Sequence, residues 1–332
     1  MSTIDTEAIS RKYREAAVRL SERSLLVTNF HGTEQEADLS EPANCDGVGR
    51  VRHFRRSRNQ GWMENPLPIE PAARALGLPP GSELRSQVFQ NAVCNWRCWY
   101  CYVPFDLLSA HARYSAWRRA DELVDLYCSL EDRPPMIDLS GGQPDLVPEW
   151  VSWTMDALEA RGVASTVYLW SDDNLSNDYF WRFLSPAQRH RISTYRMYGR
   201  VCCFKGIDGS SFAFNTMARE ELFGEQFVLF KRLLELGLDL YAYVTFTVPD
   251  GTDLRDRVVS FADRLQRVHP NLPLRTIPLE VETFTPVRDR IDPIRLRSLS
   301  LQHEALGHWL GVLEERFPTA LRKASITDVP LV

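Results

Sequence analysis

Apolar and polar positions repeat in two rhythms along this chain. Over residues 2–23, Ile9, Tyr13, Ala17 and Leu20 recur at helical spacing, which predicts an amphipathic helix. A short apolar strand is expected at Leu25–Phe30. The rhythm fades over 31–85, where Asp46-Gly47, Asn65-Pro66 and Pro79-Pro80-Gly81 break up few apolar runs, so irregular chain is expected there. From residue 86 apolar, β-branched or aromatic runs alternate with helical patterns. Strands are expected at Gln87–Val93, Met136–Leu139, Ser165–Trp170, Arg200–Phe204, Leu238–Thr247 and Leu274–Glu282. Helices are expected at about 115–130, 147–161, 177–190, 220–236 and 254–268, with a last one over 293–316.

Six strand–helix units in series argue for an α/β fold with a parallel sheet, helices outside and right-handed crossovers. Periodicity does not separate an open doubly wound sheet from a barrel. Either way the site belongs at the carboxyl ends of the strands. The division expected is an N-terminal extension over 1–85, a core over 86–292, and a C-terminal helix and tail over 293–332.

The net charge of −5 on 332 residues gives no support for wholesale nucleic-acid or membrane binding, and no nucleic-acid module is evident. No apolar run approaches the length of a membrane span. The N-terminus lacks the apolar core of a secretory signal. Seven cysteines, an odd number with three packed together, suit a reducing cytoplasm better than a disulfide framework.

Those three are Cys94, Cys98 and Cys101, in CNWRCWYC, directly after an apolar run. Three thiolates on one short loop make a soft, sulfur-rich metal site. A cubane iron–sulfur cluster normally takes four Cys ligands, so a loop offering three leaves one iron open to a small molecule. A structural zinc site has similar spacings and needs a fourth ligand, for which His111 is the nearest candidate. Unligated core cysteines are the third reading.

The loop resembles the signature of the radical S-adenosylmethionine superfamily, Cys-x3-Cys-x-aromatic-Cys, including the aromatic Tyr100 before the last cysteine. The resemblance implies that Cys94, Cys98 and Cys101 hold one 4Fe-4S cluster and that S-adenosylmethionine chelates its open iron. It implies a partial six-unit (β/α) barrel with parallel strands, the cluster loop following the first, behind a mostly irregular N-terminal extension. Ser140-Gly141-Gly142-Gln143-Pro144 is similar to the family's Gly-Gly-Glu-Pro motif, whose backbone carbonyls receive the methionyl ammonium. Gln143 stands where Glu is usual. Gly141, Gly142 and Gln143 are carried over as cofactor contacts because a backbone role survives the change.

Further cofactor contacts implied are Tyr100, a polar residue among Ser171, Asp172 and Asn174, Lys205, and Val281 against adenine. Ser, Asp and Asn at a strand end also cap helices, so that reading stays open for the 171–174 group. Asp208 is a further polar candidate beside Lys205. Cys202 and Cys203 point to opposite sheet faces, so one faces the lumen, either as a hydrogen-atom donor or as a small core residue. Glu280 and Glu282 share one phase of the sixth strand, facing either lumen or solvent. His303 and His308 lie on an amphipathic helix and are not expected to ligate.

The implied activity is reductive cleavage of S-adenosylmethionine, with electrons from a flavodoxin- or ferredoxin-type donor. The 5′-deoxyadenosyl radical so made abstracts hydrogen from a substrate. An oxygen-sensitive enzyme is expected. No second cysteine cluster follows residue 203, which favours a small-molecule substrate. The basic stretch Arg50, Arg52, His53, Arg55, Arg56 and Arg58 is either a solvated loop or an anion site, and the latter makes the substrate anionic. Lys205-Gly206 also resembles activating enzymes that make a glycyl radical on a partner protein. A zinc-stabilised binding protein is the alternative from another class.

Overall fold

The alternation of inward and outward side chains builds a curled seven-stranded sheet. The computed structural model describes residues 3–57, 59–79 and 81–331; Ser2, Arg58 of the basic stretch and Pro80 of the expected turn lie outside them. The strands are β1 Val18–Arg19, β2 Ser24–Thr28, β3 Gly49–Arg55, β4 Glu83–Gln90, β5 Ser115–Arg119, β6 Met136–Ser140, β7 Tyr168–Asp173, β8 Tyr198–Phe204, β9 Leu240–Thr245 and β10 Thr276–Leu279. The main sheet runs β10-β9-β8-β7-β6-β4-β3. From β4 to β10 every neighbouring pair is parallel, and β3 joins β4 antiparallel at the edge. This is the expected six-unit half-barrel with one strand added.

Most of the parallel strands are buried on both faces, as in a sheet covered by helices. Outward residues such as Leu139, Leu169, Phe204 and Val244 pack on the helices. Inward residues Met136, Tyr168, Trp170, Val201, Tyr241 and Tyr243 form a separate lumenal cluster. The last helix, Pro293–Arg316, matches its expected limits and buries Trp309 against Phe246 and Phe261.

Three expectations are corrected. Residues 31–85 are not irregular throughout: they carry β3 and a helix, Ile69–Leu76. Of these, β3 extends the main sheet at its edge. The expected helix over 115–130 begins as β5, which pairs with β2, and turns helical only at Ala120. Ser115–Arg119 alternates well enough for either element, and the waiting edge of β2 decides. The expected helix over 177–190 is two, Tyr179–Phe183 and Pro186–Thr194, because Ser185 and Gln188 form a capping box ahead of Pro186.

The open side of the half-barrel, between β3 and β10, is crossed by the chain leaving β3. Trp62 Nε1 donates to Pro278 O at 3.1 Å, and Asn65 Nδ2 donates to the Tyr243 hydroxyl at 3.2 Å. The C-terminal tail folds back at the same place: Ile326 is buried in the lumenal cluster, and Glu70 accepts from Ser325 Oγ and Ile326 N.

Candidate functional site

The thiol loop leaves the carboxyl end of β4. Trp96 and Trp99 are buried on its underside and pin it: Trp96 Nε1 donates to Thr6 Oγ1 and Trp99 Nε1 to Asn215 Oδ1, both at 3.0 Å. Arg97 folds the loop from within, donating to Cys94 O at 2.6 Å, Trp96 O at 2.9 Å and the Tyr13 hydroxyl at 2.7 Å. The cysteines between these anchors are free thiols, with Cys98 and Cys101 half-buried. They stand near enough to affect one another's ionisation. Burial pushes the Cys98 thiol up to about 12, against the pull of Lys205. A bound metal inverts that trend and deprotonates its thiols.

A soft, clustered, disulfide-free donor set fits an iron–sulfur group. Among the described residues no three His, Cys, Asp or Glu side chains converge on the point one ion would occupy. His111, the fourth zinc ligand considered above, is exposed, stacks on Tyr114 at 5.0 Å and accepts from Arg113 N through Nδ1. That imidazole is turned to solvent.

The loop after β6 lies against the thiol loop. Gly141 and Gly142 have φ of 71° and 60°, the left-handed region that favours glycine. A Cβ on Gly142 would stand 2.3 Å from Val93 O and 2.5 Å from Asn91 O. Gln143 N donates to Val93 O at 2.8 Å, and Gln143 O accepts from Asn91 Nδ2 at 3.0 Å. The Gln143 side chain turns away from the lumen. Its amide donates to Asp173 Oδ1 at 2.8 Å and its carbonyl accepts from Asn174 N at 2.9 Å. Behind it the fully buried Arg200 contacts Asp145 and faces Asp173 at 3.8 Å.

The end of β7 divides its candidates by phase. Ser171 faces the helix layer, bonded to the Tyr198 hydroxyl at 2.7 Å. Asp172 points into the lumen and accepts from Ser140 Oγ. Asn174 meets the thiol loop, donating to Asn95 Oδ1 at 3.2 Å and approaching Cys94 Sγ at 3.9 Å. Asp208 caps the helix Gly209–Thr216 and pairs with Arg257.

Cys202 belongs to the outer core and Cys203 to the lumenal cluster. Burial raises the Cys203 thiol to about 11, opposed by Lys205. Lys205 follows β8 into the space between Cys203, Tyr100, Cys98 and Cys101. Burial pulls its ammonium down, but those groups as they ionise outweigh it and hold it above the ordinary lysine value. The Tyr100 hydroxyl meets Thr245 Oγ1 at 3.2 Å. Val281 packs with Trp99 and Val287, its backbone held from both sides by Gln302 at 2.9 and 3.0 Å. Glu280 and Glu282 lie beyond the end of β10, at the mouth of the half-barrel, where both accept from Asn59 Nδ2 at 2.7 Å.

The structure therefore gathers Cys94, Cys98, Cys101, Tyr100, Gly141, Gly142, Asp172, Asn174, Lys205 and Cys203 at one end of the half-barrel. Ser171, Cys202 and the Gln143 side chain fall in the layer behind it. Sequence reasoning missed Asp138, which is mid-strand on β6 and fully buried in the lumen with neither carboxylate oxygen hydrogen-bonded. An aspartate inside the apolar run Met136–Leu139 was the available signal. A cleft of about 650 Å³ opens beside β3, lined by Arg50, Arg52, His53, Tyr102 and Phe284 among others. A larger one, about 740 Å³ around Arg119, Asp156 and Arg161, lies behind the helices, away from the thiols.

No protein-family model matches the chain, and no curated protein matches it. Among solved structures it is similar to Streptococcus suis SuiB bound to its precursor peptide SuiA: 13% identity, TM-score 0.45, covering 68% of this chain and 46% of that one. SuiB bound to S-adenosylmethionine gives 12% identity and a TM-score of 0.40 over 55% of this chain and 37% of that one. The chain thus spans under half the length of SuiB. The likeness is slight, and the site is read from its own residues.

Proposed function

We propose that this chain is a radical S-adenosylmethionine enzyme with one four-iron, four-sulfur cluster, acting on a small molecule in the half-barrel lumen. One observation carries the reading: three free thiols at the end of the first parallel strand lie against a Gly-Gly turn at the end of the second, over a lumen lined with polar groups. Bound there, the cluster and S-adenosylmethionine supply a 5′-deoxyadenosyl radical by one-electron reductive cleavage.

The chain's own residues have definite tasks in this reading. Cys94, Cys98 and Cys101 hold the cluster, and Lys205 offsets the charge of their thiolates. Gly141 and Gly142 bring bare backbone to the methionyl end of the nucleotide. Asp172, oriented by Ser140, faces its polar groups. Tyr168, Trp170, Tyr241 and Tyr243 floor the lumen and exclude water from the radical. Cys203 presents a protonated thiol there. The electron donor is of flavodoxin or ferredoxin type.

The zinc-stabilised alternative is disfavoured because His111 is turned outward. Among the described residues no helix is long and apolar enough to cross a membrane. The test is anaerobic reconstitution followed by dithionite reduction with S-adenosylmethionine. About four irons per chain and release of 5′-deoxyadenosine are expected. A protein that keeps its full iron after Cys98→Ala, or that never releases the nucleoside, overturns the reading.

A further inference from the structure

Arg50 and Arg52 enter the half-barrel from its edge. β3 pairs with β4 so that Arg50, Arg52 and Phe54 stand opposite Val88, Ser86 and Leu84. Val88 and Leu84 are buried, and Leu84 and Phe54 belong to the lumenal cluster, so both guanidinium groups share its face. The alternation that makes β3 look solvated is therefore inverted, with the arginine side turned in.

Arg50 is a buried charge with no carboxylate in ion-pair range among the described residues, and Arg52, its side chain 29% exposed, has only a loose carboxylate partner. By contrast the buried Arg14 grips Glu149 through both nitrogens at 2.6 and 3.0 Å. In the lumen Arg50 is 7% exposed, its Nε has no partner, and its Nη2 only reaches the Tyr102 hydroxyl at 3.3 Å. Arg52 makes no hydrogen bond among the described residues; its nearest carboxylate, Asp138, is 3.9 Å away. Both oxygens of Asp138 are buried and unpartnered. Leaving one buried polar group unsatisfied costs about 1–3 kcal/mol, more for a charged one. Arg50 Nε and the two Asp138 oxygens are such atoms, and Arg50 and Arg52 line a cleft of about 650 Å³, an arrangement suited to an anion.

We propose that the lumen binds an anionic small molecule, its carboxylate or phosphate gripped by Arg50 and Arg52 and an adjacent hydroxyl or amine meeting Asp138. This deepens the reading of the lumen as the substrate cavity and rests on it. The sign follows from the groups present. Two guanidinium groups face Asp138 and Asp172, whose carboxyls burial pushes upward, Asp138 the further and with Asp172 adding to the shift. Around the opening Arg50, Arg52 and Arg55 outnumber Asp38 and Glu41, and the Asp172 carboxylate is already engaged by Ser140. Arginine's two-pronged donor matches both anion types, and Tyr102 and Phe284, in ring contact at 6.1 Å, line the way in.

Calorimetric titration of the reconstituted full chain with inorganic phosphate and with succinate, at constant ionic strength, tests this. Saturable binding of either anion is expected, and which one binds tells phosphate from carboxylate substrates. Arg52→Gln and Arg50→Gln each weaken it at least about tenfold, as loss of a charge-assisted contact predicts. Arg52→Lys keeps the charge without the fork and falls between wild type and Arg52→Gln, and melting curves on every variant separate binding loss from misfolding. If neither anion binds, or the glutamine variants bind as wild type does, the proposal is wrong. Release of 5′-deoxyadenosine by the wild type is scored separately, so failure of the radical reading is distinguishable.

Discussion

The Gln143 side-chain amide donates to Asp173 Oδ1 at 2.8 Å, a bond that a glutamate at this position could not make. Asp173 lies beside Arg200 in the layer behind the sheet. A glutamate at 143 would set two carboxylates face to face and remove the donor. Gln143→Glu is therefore expected to lower stability by about 1.5–3 kcal/mol, the worth of a hydrogen bond to a charged group. Asp173→Asn, which supplies a donor, recovers part of that in the double variant. Urea midpoints for the four proteins of the cycle decide it. Additive losses would show that the two side chains do not interact.

Gly142 answers to space as well as to conformation. Gly162 has a similar φ of 69°, but a Cβ there meets nothing within 4 Å. Gly162→Ala should cost only the backbone strain, about 1 kcal/mol. Gly142→Ala drives a methyl onto Val93 O and Asn91 O, so the thiol loop and the Gly-Gly turn must part. S-adenosylmethionine affinity falls at least about tenfold in the second variant and stays within about twofold in the first, since only the second moves the site. Equal affinity in both proteins refutes this.

Glu70 ties the C-terminal tail to the leader and makes that tie pH-dependent. Burial raises its carboxyl, but Ser325, Arg56 and Ile326 together hold it below the ordinary value of 4.5. A depressed carboxylate contributes stability above its unfolded pKa and loses it as pH falls through the folded one. Tail protection should therefore persist at neutral pH and fade below about pH 4. Glu70→Gln should remove that acid-sensitive step. Limited proteolysis across pH 3–7 with an acid-tolerant protease reads the tail directly. A wild-type tail equally protected at both ends of the range contradicts it.

The parallel half-barrel was legible because short apolar or aromatic runs, as in Tyr168–Trp170 and Leu240–Val244, alternate with helical pattern. The thiol loop was legible because three cysteines in eight residues have few other uses. β3 was hidden because Gly49–Arg55 carries Arg or His in both phases, with Val51 and Phe54 on opposite ones, so it shows no apolar face and one phase of arginines reads as solvated. Only the sheet register shows that this phase faces the lumen. Asp138 was hidden in the middle of a strand, where a short apolar run outweighs one polar residue. The fate of the 171–174 group hung on strand phase. β7 ends at Asp173, three residues beyond the expected Trp170, and alternation sends Asp172 inward and Ser171 outward.

Asn59 is a donor shared by two acids at the mouth of the half-barrel. Its Nδ2 meets Glu280 Oε2 and Glu282 Oε1, each at 2.7 Å, and thereby fastens the chain after β3 to the chain after β10. Trp62 reinforces the same seam through Pro278 O and an edge contact with His303 at 5.4 Å. Asn59→Ala leaves two carboxylates close together with no shared donor. The groups are partly solvated, so global stability should change by less than about 1 kcal/mol. The effect is local: faster amide exchange over 59–66 and 276–282, with β6 and β7 unchanged. A looser seam also exposes the site, so iron should be stripped by a chelator several-fold faster. Uniform exchange across the sheet, or unchanged exchange at the seam, would show that Asn59 does not hold the half-barrel closed.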